Sequence, residues 1–160
     1  MPTNANRSSI ARHIAIFELI REAGLEGMVA KRRQSKYEGA LKEDWLKIKC
    51  LRVHDFVVGG WIPNGRRPGA LLLGEFVDGH LRYVGEIGSE SDAKIVASIA
   101  RDLIPRSTSP FTDRIANGRA KFCEPVIRVS VEFLEFTDDG YLRQASFRRF
   151  TDELVTAVSR

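Results

Sequence analysis

The chain has 160 residues, 43% hydrophobic, 9% aromatic and 29% charged, with Gly at 13 and Pro at 6. Those proportions exclude collagenous and low-complexity architectures and fit one ordinary domain or two small pieces. No apolar run approaches a membrane span, and two cysteines, Cys50 and Cys123, can build neither a disulfide framework nor a four-ligand zinc site. The opening residues, Met1 to Arg7, carry no apolar segment behind their charge, which argues against secretion. A reducing, cytoplasmic setting is expected. The net charge of +4 matters less than its distribution. Eight cations between Lys31 and Arg52 face only Glu38, Glu43 and Asp44, whereas residues 81–160 carry twelve charges of each sign. Such a segment is the footprint of a polyphosphate or nucleic-acid binder, and equally that of a solvated basic loop.

Along the chain, Ile10, Ile14, Phe17 and Ile20 recur at helical spacing, predicting a helix over about 9–22 with Ser8 or Ser9 as its cap and Gly24 past its end. Gly27-Met28-Val29-Ala30 reads as a short buried strand, and Arg32–Asp44 as a polar loop. In Trp45–Cys50 apolar and basic residues alternate, so on a strand Lys47 and Lys49 share one face with Trp45. Val53–Ile62, Ala70–Val77 and Leu81–Ile87 are strand candidates, separated by a turn-rich loop over 63–69 and by the hairpin signal Asp78-Gly79. A second helix is predicted over 91–104, with Ile95, Ile99 and Leu103 inward, Ser89 or Ser91 at its start and Pro105 at its end. An irregular stretch, 105–124, precedes an alternating strand that sets Ile127, Val129, Val131 and Phe133 against Val126, Arg128, Ser130 and Glu132. Asp139-Gly140 is a turn, and Leu142–Phe150 the partner strand.

Three strands, a helix and two more strands form the element order of the OB-fold, a five-stranded Greek-key barrel that binds oligonucleotides, although other small β-barrels share such an order. The expected fold class is mainly β with helices: an OB domain at about 51–150, a preceding α+β fragment at 1–50 and a tail at 151–160.

Two segments go beyond architecture. Leu25-Glu26-Gly27-Met28-Val29-Ala30-Lys31-Arg32 and Asp44-Trp45-Leu46-Lys47-Ile48-Lys49 resemble, in this order and separation, motifs IV and V of the ATP-dependent DNA ligases within the covalent nucleotidyltransferase superfamily. The likeness is to the bacterial ligase domain of non-homologous end joining. It continues through Phe56–Trp61, Gly69–Gly74, Leu81–Gly85, Ser109-Pro110-Phe111, Val131–Thr137 and Asp139–Arg143. By that resemblance, residues 1–50 are the end of an adenylation domain, with Lys47 and Lys49 contacting the nucleotide phosphate and Glu26 placing a divalent metal. ATP and magnesium or manganese are the implied cofactors, and double-stranded DNA the implied partner. Cations held on a rigid strand neutralise a transferring phosphoryl group without reorganising. A carboxylate suits a hard, oxygen-seeking cation. Lys31, Arg32, Arg33, Arg66 and Arg67 are the expected DNA contacts. Without the family likeness, Glu26 reads as a surface acid at a strand start and the two lysines as a solvated strand face.

The nucleophile motif of that family, Lys-x-Asp-Gly, does not occur in this sequence: the residues two before Asp78 and Asp139 are Phe76 and Thr137. In the stretch matching motif VI, Ser146–Leu154, Thr151 and Leu154 stand where Arg and Lys are expected, with Arg148 and Arg149 displaced. The expectation is a DNA-binding OB module of a ligase that does not adenylate itself. A non-catalytic subunit of a split ligase, a homodimer and an idle remnant are the alternatives. His13, His54 and His80 have no ligand spacing, Trp45, Trp61 and Tyr83 read as core or half-core, and Gly59-Gly60 as a bulge.

Overall fold

The computed structural model describes residues 4–31, 45–88 and 92–151, with side chains from residue 12 onward. It divides into two compact units, Met1–Leu51 and Arg52–Arg160.

In the first unit, α1 (Asn4–Glu22) starts earlier than the apolar periodicity suggests, so Ser8 and Ser9 lie inside the helix rather than capping it. No Gly or Pro between residues 4 and 8 stops it sooner. Gly24, at φ 68, ends it in the left-handed conformation that glycine takes without steric cost. β1 (Gly27–Lys31) and β2 (Trp45–Lys49) then pair antiparallel, with Gly27 opposite Lys49, Val29 opposite Lys47 and Lys31 opposite Trp45. The expected loop between them, including Arg32 and Arg33, lies outside the described residues.

The second unit is built on β3 (Arg52–Asn64), β4 (Arg67–Val77) and β5 (His80–Ile87), a meander of antiparallel strands. The loop expected over 63–69 is mostly strand: only Gly65 and Arg66 form the turn. Pro63 and Pro68 sit opposite each other next to a register irregularity, where their missing N–H groups disturb no continuous ladder. The β4–β5 turn has Asp78 at φ 50 and Gly79 at φ 79, the paired positive angles that match the twist of a two-residue hairpin.

α2 (Ala93–Asp102) is shorter than expected at both ends, and Leu103 after it is already extended at φ −70, ψ 132. The residue before Pro105, Ile104, is sterically barred from helix, so the chain leaves the helix there. The chain then returns as β8 (Arg128–Phe133), which pairs with β3, and β11 (Ser146–Phe150), which pairs with β8. The strand path β11-β8-β3-β4-β5 is the Greek-key order of the OB-fold. The partner strand expected to be continuous over 142–150 is broken at Gln144, φ 53. Its first part, β10 (Leu142–Arg143), pairs with β9 (Glu135–Phe136) instead. Leu142 lies beside Gly85 of β5, bringing the last ribbon to the opposite edge of the sheet.

Phe56, Val58, Leu71, Leu73, Val84, Ile87, Val129, Val131 and Phe133 form the interior with Val96, Ile99 and Leu103 of α2. Burying each such aliphatic side chain contributes about 1.5–3 kcal/mol before entropy is charged against it. The 105–124 stretch, expected to be irregular, covers the other face of the sheet. It contributes two short strands, β6 (Pro105–Arg106) and β7 (Lys121–Cys123), with β7 joining β3. Its Phe111 packs with Val57, Leu72 and Leu81. The Phe111 ring occupies the space a side chain at Gly59 would need: an added Cβ would lie 2.5 Å from Cζ. Thr112 N–H donates to the Leu81 carbonyl at 2.9 Å, and Asp113 Oδ2 accepts from Tyr83 N–H at 2.8 Å, so this segment also shields the β5 edge. With both faces covered, residues Phe56–Gly60 are buried consecutively instead of alternating. The ladder shifts register between Val58 and Gly60, the bulge expected of the glycine pair.

Candidate functional site

In the first unit, the pleat puts Gly27, Val29, Lys31, Trp45, Lys47 and Lys49 on one face of the β1–β2 hairpin, and Met28, Ala30, Leu46 and Ile48 on the other. Glu26 immediately precedes β1, and its carbonyl accepts the Cys50 N–H at 2.9 Å. Glu26, Lys47 and Lys49 line one cavity of about 200 Å³ together with Gly27 and Val29 of the same stretch and with Met28 and Ile48 of the other face. The close strand approach depends on Gly27: a Cβ there would run into the Ile48 carbonyl and the Lys49 Cα. The Glu-Gly pair thus combines a carboxylate with the one residue that lets its strand reach the lysine-bearing one. At the far end of the hairpin, the Lys31 ammonium stands 5.2 Å from the centre of the Trp45 ring, a cation–π distance. Trp45 is 45% exposed in this structure, in contrast to the core or half-core position expected. Trp61 and Tyr83 are partly buried, as expected.

In the second unit, Arg66 and Arg67 lie at the tip of the β3–β4 hairpin and border a larger cleft of about 720 Å³. Lys94 and Arg101 of α2 stand on the same cleft, and sequence reasoning missed both. The available signal was their spacing: seven residues, or two helical turns, on a stripe shared with Ala93, Ala97 and Ala100 and turned away from Val96 and Ile99. No carboxylate lines this cleft among the described residues.

The remaining sequence candidates are structural. His54 Nε2 lies 3.2 Å from Glu75 Oε1 and its ring stacks edge-on against Phe56. Arg148, in the stretch matching motif VI, approaches Glu132 at 4.0 Å, and Leu154 lies outside the described residues. The buried Cys123 thiol points to the Val58 carbonyl at 3.6 Å, and burial, reinforced by Glu124, pushes it up to about 12. It is no nucleophile. Among the described residues no three His, Cys, Asp or Glu side chains gather around a metal position. No helix among them is long and apolar enough to cross a membrane.

Comparison with known proteins agrees with the fold. The multifunctional non-homologous end joining protein LigD of Mycobacterium bovis is 34% identical over 142 residues, covering 82% of this chain and 19% of that protein. Its counterpart in Pseudomonas aeruginosa is 32% identical over 141 residues, covering 81% and 17%. The chain therefore spans about a fifth of the length of these curated relatives. Among solved structures, the ligase domain of M. tuberculosis LigD superposes with a TM-score of 0.60 at 29% identity, covering 90% of this chain and 50% of that one. A mycobacterial DNA ligase D complexed with ATP and MES gives 0.56 at 31%, with the same coverage. Residues 64–153 match the family model described as the ATP dependent DNA ligase C terminal region. Since that match takes in more than half of the chain, with β4, β5, β8 and β11 of the OB sheet, this protein belongs to the family of the ATP-dependent DNA ligase C-terminal region.

Proposed function

We propose that this chain acts in ATP-dependent DNA strand joining during repair, as the part of a ligase that grips DNA and handles the nucleotide phosphate. The observation that carries the reading is the convergence of Glu26, Lys47 and Lys49 on one cavity of the β1–β2 hairpin. Two ammonium groups on one strand face are suited to charge building up on a transferring phosphoryl group. Among the described residues Glu26 is the one carboxylate lining this cavity, which fits magnesium or manganese, since these bind phosphate oxygens and water with few protein ligands. Glu26 would hold that ion, and Lys47 and Lys49 the phosphate of ATP. The metal supplies Lewis-acid neutralisation; the chain's own residues supply position and fixed charge. Residues 1–50 then correspond to the end of an adenylation domain, and Lys31, Arg32, Arg33, Arg66 and Arg67 to contacts along the duplex backbone. The two free cysteines, Cys50 and Cys123, suit a cytoplasmic location.

Because the sequence holds no Lys-x-Asp-Gly segment, these 160 residues do not take AMP onto a lysine by themselves. Incubation with labelled ATP and magnesium or manganese, followed by a denaturing gel, gives no labelled protein. A labelled band at the mass of this chain refutes that statement. Duplex binding is measurable separately: affinity is independent of sequence and falls steeply with salt, by about 0.9 in log–log slope for each phosphate contact. Neutralising Lys31, Arg32, Arg33, Arg66 and Arg67 lowers that slope, and an unchanged slope removes them from the contact surface.

A second reading, a subunit of a split ligase or a homodimer, is favoured by apolar side chains of the first unit: Ile14, Leu19, Val29 and Leu46 are all about half exposed or more. Light scattering of the pure chain separates monomer from dimer. Addition of a polypeptide bearing Lys-x-Asp-Gly tests whether label transfer to that polypeptide rises. A folded chain that neither binds DNA nor raises transfer is an idle remnant.

A further inference from the structure

The cleft of about 720 Å³ in the second unit is lined by Arg66 and Arg67 on the hairpin and by Lys94 and Arg101 on α2, with Gly69, Gly88 and three alanines between them. The cations come from a hairpin of the sheet and from the helix packed against it. Among the described residues, none of the four takes part in an ion pair. Gly88 is held there by contact: a Cβ on it would collide with Gly69 and Ala70, so the wall has no room for a larger residue.

We propose that this cleft is a track for consecutive phosphates of one DNA strand, in which Lys94 and Arg101 are phosphate ligands along with the hairpin arginines. Four observations point to a polyanion rather than a small apolar ligand. The lining carries four cations and no carboxylate among the described residues. The small side chains along α2 leave the helix backbone low, so that a chain of sugars and phosphates can lie between the two basic rims. The spacing also fits: seven residues of helix advance about 10.5 Å, and phosphates of one strand of duplex DNA advance about 3.4 Å per step along its axis. Because successive phosphates are also rotated about that axis, cations about 10.5 Å apart face different phosphates of the strand and not a single one. A volume of about 720 Å³ exceeds what one phosphate needs and lies in the range that holds a ligand of a few linked groups.

This inference rests on the DNA-binding reading, and the experiment separates the two. Anisotropy of a labelled nicked duplex is followed with the full chain across a salt series, for the wild type, Lys94→Gln/Arg101→Gln, Ala97→Glu and Arg114→Gln/Arg119→Gln, with circular dichroism confirming that each is folded. The expected result is a slope lower by about 1.8 and binding about tenfold weaker at low salt in the Lys94/Arg101 variant, two contacts at about 0.9 each. Ala97→Glu, which adds a carboxylate to the cleft and removes no cation, weakens binding as well. The Arg114/Arg119 variant removes two exposed cations of the same unit outside the cleft and changes the slope by less than half as much. If the wild type binds no duplex, the DNA-binding reading itself fails. If it binds but the Lys94/Arg101 variant keeps the wild-type slope, or both arginine and cleft variants lose it equally, the track is refuted while DNA binding stands. Tripolyphosphate is the other arm: tighter binding of it than of duplex at equal phosphate, lost in the cleft variant, makes this a site for free polyphosphate and overturns the assignment to DNA.

Discussion

Gly59 and Phe111 are coupled: substitution of either is costly, and changing both costs less than the two changes added together. Phe111 is 7% exposed, sits among Val57, Leu72 and Leu81, and meets the Tyr83 ring edge-on with centroids 5.5 Å apart. Phe111→Ala removes that burial and leaves a void, costing about 3–5 kcal/mol. For a domain held by about 5–15 kcal/mol, that is a large share. Gly59→Ala in the wild type drives a methyl to within 2.5 Å of the ring, and the forced shift costs about 1–3 kcal/mol. With Phe111 already Ala, the same methyl enters vacated space and also narrows the unfolded ensemble, which makes it neutral or stabilising by about 0.4–1 kcal/mol. The double variant should be more stable than the sum of the singles by about 2 kcal/mol, within the range found for residues in contact. Urea titration of all four proteins, read by tryptophan fluorescence, measures the cycle. Additivity to within about 0.5 kcal/mol would mean that the ring does not fill the space above Gly59.

Burial, then Glu86 and Tyr141, pushes the Tyr83 phenol up to about 12 from 10.0. The fold favours the neutral phenol, so its contribution is complete below pH 10 and disappears as pH rises toward 12. Cys123, pushed from 9.0 to about 12, acts in the same direction over pH 9 to 12. Urea midpoints should fall across that window, and Tyr83→Phe should make the fall shallower; a parallel curve counts against the assignment. Under native conditions Ellman's reagent should titrate Cys50 quickly and Cys123, which is 0% exposed, only after unfolding, so two equally fast thiols contradict the buried position. Gly27→Ala should open the β1–β2 hairpin, seen as lost hydrogen-exchange protection at the Cys50 amide, which donates to Glu26. Retained protection would show that the strands tolerate a methyl there.

Periodicity carried the parts of the fold that bury one face. Alternation over 126–133 and over Trp45–Lys49 put side chains on the sides where they are found, and Asp78-Gly79 marked its own turn. It failed where a second layer intervenes. Phe56–Gly60 is buried on both sides because the 105–124 segment folds over it, a contact made across some fifty residues that no local pattern records. Likewise the turn residues Pro63-Asn64-Gly65 suggested a loop, yet strand pairing runs on almost to the tip because a register irregularity absorbs the prolines. For the candidate site, Glu26, Lys47 and Lys49 were singled out by the resemblance to a family's motifs, and strand parity already put the two lysines on one face. Lys94 and Arg101 were not, because a helix read for its apolar stripe keeps its opposite side out of view until a hairpin is seen to face it.

Ending the β3–β4 connection in only two turn residues has a thermodynamic consequence. A seven-residue loop would sample many backbone shapes, and ordering it around an incoming ligand would forfeit about 1–2 kcal/mol per residue. A paired ribbon has already given up that freedom during folding. The guanidinium groups at its tip therefore reach their target at the cost of side-chain rotamers alone, and their grip depends on the stiffness of the prolines beneath them as much as on charge.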